Sequence, residues 1–202
     1  MAERSSFFSE VRRRLFRGRL TQGQVDGLNA ILDASEGLPV AWRAYMLATA
    51  HHEVNRTMQP IREIGNAAYF TRMYDIEGRR PHVARELGNV EPGDGARFHG
   101  RGYVQLTGRA NYQRADDELT KAGLIAAGAL MTEPDLAMRP DIAAFIMREG
   151  MLHGWFTGRN LARYLPSSQG TLAQFEQARR IINRMDKART IAGYAIKYQE
   201  AL

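Results

Sequence analysis

Between Val54 and Arg97 the chain meets Pro60, Gly65, Gly78, Pro81, Gly88, Pro92, Gly93 and Gly95, so no long helix or strand can run through this stretch. On both sides of it the patterns are helical. Phe8, Val11 and Leu15 fall at helical spacing near the N-terminus. Thr21-Gln22-Gly23-Gln24 has the form of a capping box. It is followed by an apolar stripe of Val25, Leu28, Ile31 and Leu32 that ends near Gly37-Leu38-Pro39. A second helix is expected after Pro39, through Trp42, Met46, Leu47 and Ala50, to about Glu53. A short one, His82 to Leu87, is expected inside the broken middle. Further on, Thr107–Lys121 and Asp141–Gly154 look helical, the latter buried through Ile142, Phe145, Ile146 and Leu152. Thr171–Leu202 holds two helical patterns meeting near Asn183–Asp186. With no internal repeat, low-complexity tract or linker, the expectation is one mainly α domain over residues 1–202, without a separate binding module. A long irregular stretch in so regular a chain is where a functional cleft belongs.

The segment Phe98–Tyr112, FHGRGYVQLTGRANY, carries the most chemistry. Gly100 and Gly102 allow a tight turn or close approach of backbone to a ligand. In Tyr103-Val104-Gln105-Leu106 a period-2 reading puts Tyr103 and Gln105 on one face and Val104 and Leu106 on the other. That would be a short β-like segment offering a ring and an amide to a polar substrate. Thr107 is expected to open the following helix, which contains Asn111.

Composition narrows the classes. The chain has no cysteine, which removes disulfides, thiol chemistry and thiolate metal sites. Its net charge of +6 predicts attraction to a polyanion or acidic surface, whether nucleic acid, anionic lipid or an acidic cell wall. No apolar run reaches the length of a membrane span, and the basic N-terminal stretch lacks the apolar core of a secretory signal. Synthesis in a cytoplasm is therefore expected, with export depending on another agent.

Glu53, at the end of an apolar helix and preceded by His51 and His52, sits where partial desolvation would disfavour its charged form and raise its pKa towards that of a general acid. Glu63 lies ten residues on, past a Pro-containing turn, where it could stay ionised. One neutral and one charged carboxyl are what inverting glycoside hydrolysis requires, about 6.5–9.5 Å apart with a water between. Glu77, Glu86 and Glu91 compete with Glu63 for the base role, and spacing alone leaves that choice open. A metal site is not expected: His52-Glu53 is not followed by the second histidine of HExxH, and adjacent helical histidines diverge by about 100°. No GxSxG or phosphate-binding loop is present. A nucleic-acid role for Arg101 and Tyr103 lacks any accompanying module.

The segments ATAHHEVNRTMQPIRE (Ala48–Glu63) and PGDGARFHGRGYVQLTGRANY (Pro92–Tyr112) resemble glycoside hydrolase family 19, and more closely its phage-encoded endolysins than its plant chitinases. The resemblance extends from FFSEVRRRLFRGRLTQGQVDG to ARRIINRMDKARTIAGYA. It implies a lysozyme-like, two-lobed helical fold with the short β-like segment lining the cleft, and inversion without metal or cofactor. By the same resemblance Glu53 is the general acid, Glu63 the base, and Thr107 holds the nucleophilic water. Arg101, Tyr103, Gln105, Asn111 and Asn183 bind sugar. The pattern departs from plant members in the shorter Glu53–Glu63 interval, in the lack of disulfides and in Arg184 standing after Asn183 in place of glycine. The implied protein is a monomeric endolysin made in a host cytoplasm. It would act in the periplasm on the β-1,4 bonds of peptidoglycan once a holin opens the membrane. The alternatives are a chitinase and, in a different class, a non-catalytic wall binder or membrane-active protein. The latter would touch anionic lipid through its N-terminal stretch and its last helix, Ile191–Leu202.

Overall fold

The structure is a computed structural model that describes residues 2–202. Helices α1 (Ala2–Leu15), α2 (Gln22–Ala34) and α3 (Val40–Glu53) are followed by a two-residue strand β1 (Ile61–Arg62). Then come α4 (Ala67–Tyr74), α5 (Pro81–Glu86), α6 (Asp94–Arg97) and β2 (Arg101–Gly102). The rest comprises α7 (Arg109–Lys121), α8 (Ala129–Thr132), α9 (Pro140–His153), α10 (Leu161–Tyr164), α11 (Leu172–Ala178) and α12 (Ala188–Gln199). Short 3₁₀ turns lie at Pro134–Met138 and Arg179–Ile181. The mainly α expectation holds. Contacts divide the described chain into two compact units, residues 2–59 with 147–202, and residues 60–146; the boundary falls inside α9.

The first unit is built on α3. Its residues from Ala41 to His51 are buried nearly all round, as a helix surrounded by others requires. α2 and α12 pack on it, and α11 packs on α12. α2 opens as expected, with the Thr21 hydroxyl accepting from Gln24 N and the Gln24 side chain accepting from Thr21 N. α1 buries Phe7, Val11 and Leu15, so Phe7 takes the core position in place of Phe8. The apolar face of α12 (Ile191, Ala192, Ala195, Tyr198) is likewise buried. Among the described residues no helix is long and apolar enough to cross a membrane.

The second unit holds the broken middle. Its only sheet is the antiparallel pair β1–β2, with Ile61 opposite Gly102 and Arg62 opposite Arg101. Buried polar side chains replace regular ladders in satisfying the loop backbone. Asp75 accepts from Gly93 N and Gly95 N, and Asp94 accepts from Val90 N and Glu91 N. Asn89 donates to Tyr74 O and accepts from Arg109 N, which caps the start of α7.

One glycine in the first unit explains itself by what lies against it. Gly27 is in the interior of α2, and a Cβ there would stand 1.6 Å from the Met58 carbonyl oxygen. Gly193, inside α12, has nothing within 4 Å of the same position. Gly27→Ala should therefore cost about 3 kcal/mol of stability through overpacking. Gly193→Ala should add roughly 0.5–1 kcal/mol by reducing the freedom of the unfolded chain. Urea unfolding of both variants checks this; equal effects of the two would contradict it.

Candidate active site

In the second unit four of the expected residues come together around Gly100. Glu63 N donates to Gly100 O at 2.8 Å, and Glu63 Oε2 accepts from Gly100 N at 3.2 Å. A Cβ on Gly100 would sit 2.7 Å from Gln105 Oε1 and 3.2 Å from both Glu63 Oε2 and Thr107 Oγ1. Three side-chain oxygens, one from the Glu63 stretch and two from the Gln105–Thr107 turn, thus converge over one residue that has no side chain. Each is fixed from behind. Glu63 Oε1 accepts from the Tyr74 hydroxyl at 2.7 Å, Gln105 Nε2 donates to Ile61 O at 3.1 Å, and Thr107 Oγ1 donates to Gln105 O at 2.8 Å. Asn111 Nδ2 in turn holds Thr107 O at 2.7 Å. Glu63, Gln105, Thr107 and Asn111 are all half-buried. Burial, with Glu63 alongside, pushes the Tyr74 phenol well above its ordinary pKa, so it remains a donor to the carboxylate.

The β-like reading of Tyr103–Leu106 is corrected. Arg101 and Leu106 pair with each other, and the chain between them reverses with Gly102 at φ 94° and Gln105 at φ 56°. Positive φ at both places breaks the alternation, so Tyr103, Val104 and Leu106 all point into the core and Gln105 alone emerges. A left-handed glutamine is uncommon and costs of order 1 kcal/mol, as backbone at functional sites often does. Thr107 does not open α7; Gly108 and Arg109 do.

Arg101 and Tyr103, expected at the sugar surface, are buried. Tyr103 has 0% of its surface exposed and Arg101 6%. The Arg101 guanidinium bonds Asp135 Oδ1 and donates to the carbonyls of Arg97 and His99 and to the Tyr112 hydroxyl. It ties β2 to the 3₁₀ turn at Pro134–Met138 and leaves little surface for a ligand. Glu77 and Glu86 are exposed, and Glu91 pairs with Arg109. Of the four carboxylates open for the base role, only Glu63 lies beside Gln105 and Thr107. Tyr74 was missed, because nothing in its local sequence marks it as the partner of a residue eleven positions earlier.

In the first unit Glu53 is the last residue of α3. Its Oε1 accepts from Arg179 Nη1 at 2.5 Å, and its side chain is 23% exposed. The apolar setting expected from the sequence is replaced by an ionic one, supplied by an arginine 126 positions away whose own side chain is 3% exposed. Arg179 Nε also donates to Asp186 O. Asn183 lies on the same turn, exposed, with its Oδ1 accepting from Arg184 N. His51 points the other way, into the core, where Nδ1 meets the Tyr198 hydroxyl at 3.0 Å and the rings of Phe16 and Tyr194 lie against it. His52 is half-buried next to Glu53, and burial depresses its pKa. Among the described residues no group of three or more His, Asp or Glu side chains is arranged to hold a metal ion.

The mainly helical chain, with its short hairpin carrying Gln105 and Thr107, has the fold of a solved chitinase structure. The similarity is to chitinase C from Streptomyces griseus, whose crystal structure superposes with a TM-score of 0.61 over 98% of this chain and 74% of that one, at 20% identity. A chitinase C mutant structure gives 0.47 at 22% identity, over 94% of this chain and 91% of that one. No protein-family profile and no curated protein sequence matches the chain. The shared fold is thus carried by the chain trace.

Burial lowers the His51 pKa from about 6.5 to about 4. Above pH 6.5 the ring is neutral in both folded and unfolded chains. As pH falls from 6.5 towards 4, the unfolded chain takes up a proton that the folded one refuses. Stability should therefore drop by up to roughly 3 kcal/mol across that window. Replacing His51 with Gln should flatten this part of the stability–pH curve, measured by urea unfolding at pH 7 and pH 4.5. An unchanged slope would contradict the assignment.

Proposed function

We propose that the protein is a glycoside hydrolase that cleaves β-1,4 bonds between amino sugars by a single inverting displacement. Its substrate in this reading is peptidoglycan and its role is host lysis as a phage endolysin. The observation that carries the hydrolase reading is the convergence of Glu63 Oε2, Thr107 Oγ1 and Gln105 Oε1 over Gly100. The Thr107 hydrogen is already committed to Gln105 O, so its lone pairs face outward as acceptors. A water bound there would donate to Thr107 and to Glu63, leaving an oxygen lone pair aimed at the sugar. Glu63 takes the proton as that lone pair attacks the anomeric carbon. Glu53, held at Oε1 by Arg179, donates a proton carried on its other oxygen to the departing glycosidic oxygen, and Gln105 and Asn111 hold the sugar. Fixing the water before the attack removes much of the entropic barrier.

The endolysin assignment is supported by sequence resemblance and by the net charge of +6, which suits an acidic wall. In this reading the protein is made in the host cytoplasm, works as a monomer and reaches the wall through a holin, with any contact with anionic lipid transient. A second reading, a chitinase acting on linked N-acetylglucosamine, is favoured by the fold shared with chitinase C. Glu53→Gln and Glu63→Gln should each lower turnover by about 10²–10⁴-fold with unchanged helical circular dichroism. Incubation with purified peptidoglycan and with chitin oligomers, followed by mass spectrometry of the new ends, separates the readings. Products from peptidoglycan alone support the endolysin, and products from chitin alone support the chitinase. Full activity of Glu63→Gln would refute the hydrolytic assignment of this site.

A further inference from the structure

The turn carrying Asn183 borders a depression of about 550 Å³ that the proposed reaction does not use. Arg159, Arg180 and Arg184 line it, together with Ile182, Asn183 and Met185, and no acidic residue does. Among the described residues none of the three guanidiniums has a carboxylate partner. Arg159 Nη1 donates to the Tyr164 hydroxyl at 3.0 Å and Arg180 Nε to the Gln177 side-chain oxygen at 3.1 Å, while Arg184 uses only its backbone N–H. Three unmatched guanidinium forks around one concavity suit a ligand carrying more than one carboxylate. Ile182 and Met185 add apolar surface beside the charges. Asn183 has its oxygen engaged by Arg184 N, which leaves its amide N–H groups to donate to a peptide carbonyl.

The walls are built in. The Thr157 hydroxyl donates to the carbonyls of Arg180 and Ile181 and so pins the 154–159 turn to the 179–181 turn. Asn183 N donates to Arg179 O, and the Arg179 side chain spans Asp186 O and Glu53. The depression therefore hangs from the same arginine that holds Glu53.

We infer that this depression binds the free carboxylates of the peptide stem that distinguishes peptidoglycan from chitin. The inference rests on the peptidoglycan reading for its biological sense, but binding of the stem is measurable without any hydrolysis. The direct experiment titrates the full-length protein with a synthetic alanyl-glutamyl-diaminopimelate stem peptide by calorimetry or NMR. Saturable binding at millimolar concentration is expected. It should be weakened about tenfold by carboxamide capping of the peptide, or by the double replacement Arg159→Gln and Arg184→Gln. Added salt should weaken it further. Absence of saturation up to roughly ten millimolar, or equal binding of the capped peptide, overturns the inference. So does tighter binding of inorganic phosphate or of phosphatidylglycerol vesicles, which would identify a phosphate site. A kinetic readout adds a second arm. In the double variant the ratio of kcat/KM on intact wall to that on amidase-stripped glycan should fall about tenfold, mainly through KM. An equal loss on both substrates would mean a merely structural role for these arginines. If the wild-type protein cleaves neither substrate, hydrolysis is refuted while the titration still decides the peptide site.

Discussion

A residue with no side chain is the pivot of the candidate site. Glu63 comes from one stretch of the chain and Gln105 and Thr107 from another, and their oxygens crowd the place where a Cβ on Gly100 would lie. Each of these oxygens is held in place from behind. Tyr74 and the Gly100 N–H hold the carboxylate, Ile61 O holds the Gln105 amide, and Gln105 O takes the Thr107 hydrogen. What remains outward is a set of acceptors, to which a water can donate both of its hydrogens. The left-handed Gln105 is the strain that this arrangement carries.

The second unit can hold such a site without regular structure because its loop backbone is satisfied by buried side chains. Asp75, Asn89 and Asp94 accept from or donate to main-chain groups of the Asn89–Gly95 loop, of Tyr74 and of the α7 terminus. Arg109 then compensates Asp94 directly, with Nε and Nη2 on its two oxygens. Asp116 does the same for Gly128 N and Leu130 N. A buried carboxylate that accepts several N–H bonds is rigid, and rigidity here keeps Tyr74 in register with Glu63. In the first unit, the corresponding role falls to Arg179, which joins Glu53 to the turn before α12.

Local signals in the sequence carried far. The Thr21 capping box, the helix from Val40 to Glu53 and the buried helix from Pro140 to His153 were all readable, because each depends on neighbours three or four positions apart. Gln105, Thr107 and Asn111 sit on the Phe98–Tyr112 segment, and Glu63, from the stretch before it, lies beside the first two at Gly100. The failures were of two kinds. An apparent period of two across Tyr103–Leu106 was produced by a tight reversal whose defining feature, positive φ at a glutamine, has no sequence mark. Arg101 and Tyr103 were consequently placed at a surface when they are buried. The partners Tyr74 and Arg179 were invisible because their contacts are tertiary, set by packing and not by spacing. Short helices such as α4, of about two turns, and α6, of one, lay in the broken middle, where so few turns leave little periodicity to read.

The most direct test of the central claim adds one methyl group. Gly100→Ala places a carbon among the three oxygens, where the proposed water would otherwise be received, while the left-handed conformations of Gly102 and Gln105 are untouched. The account predicts that kcat on the preferred glycan falls about a hundredfold, in line with loss of a positioned nucleophile, while cooperative thermal unfolding is retained. A variant that turns over at the wild-type rate would show that the space over Gly100 has no part in the chemistry.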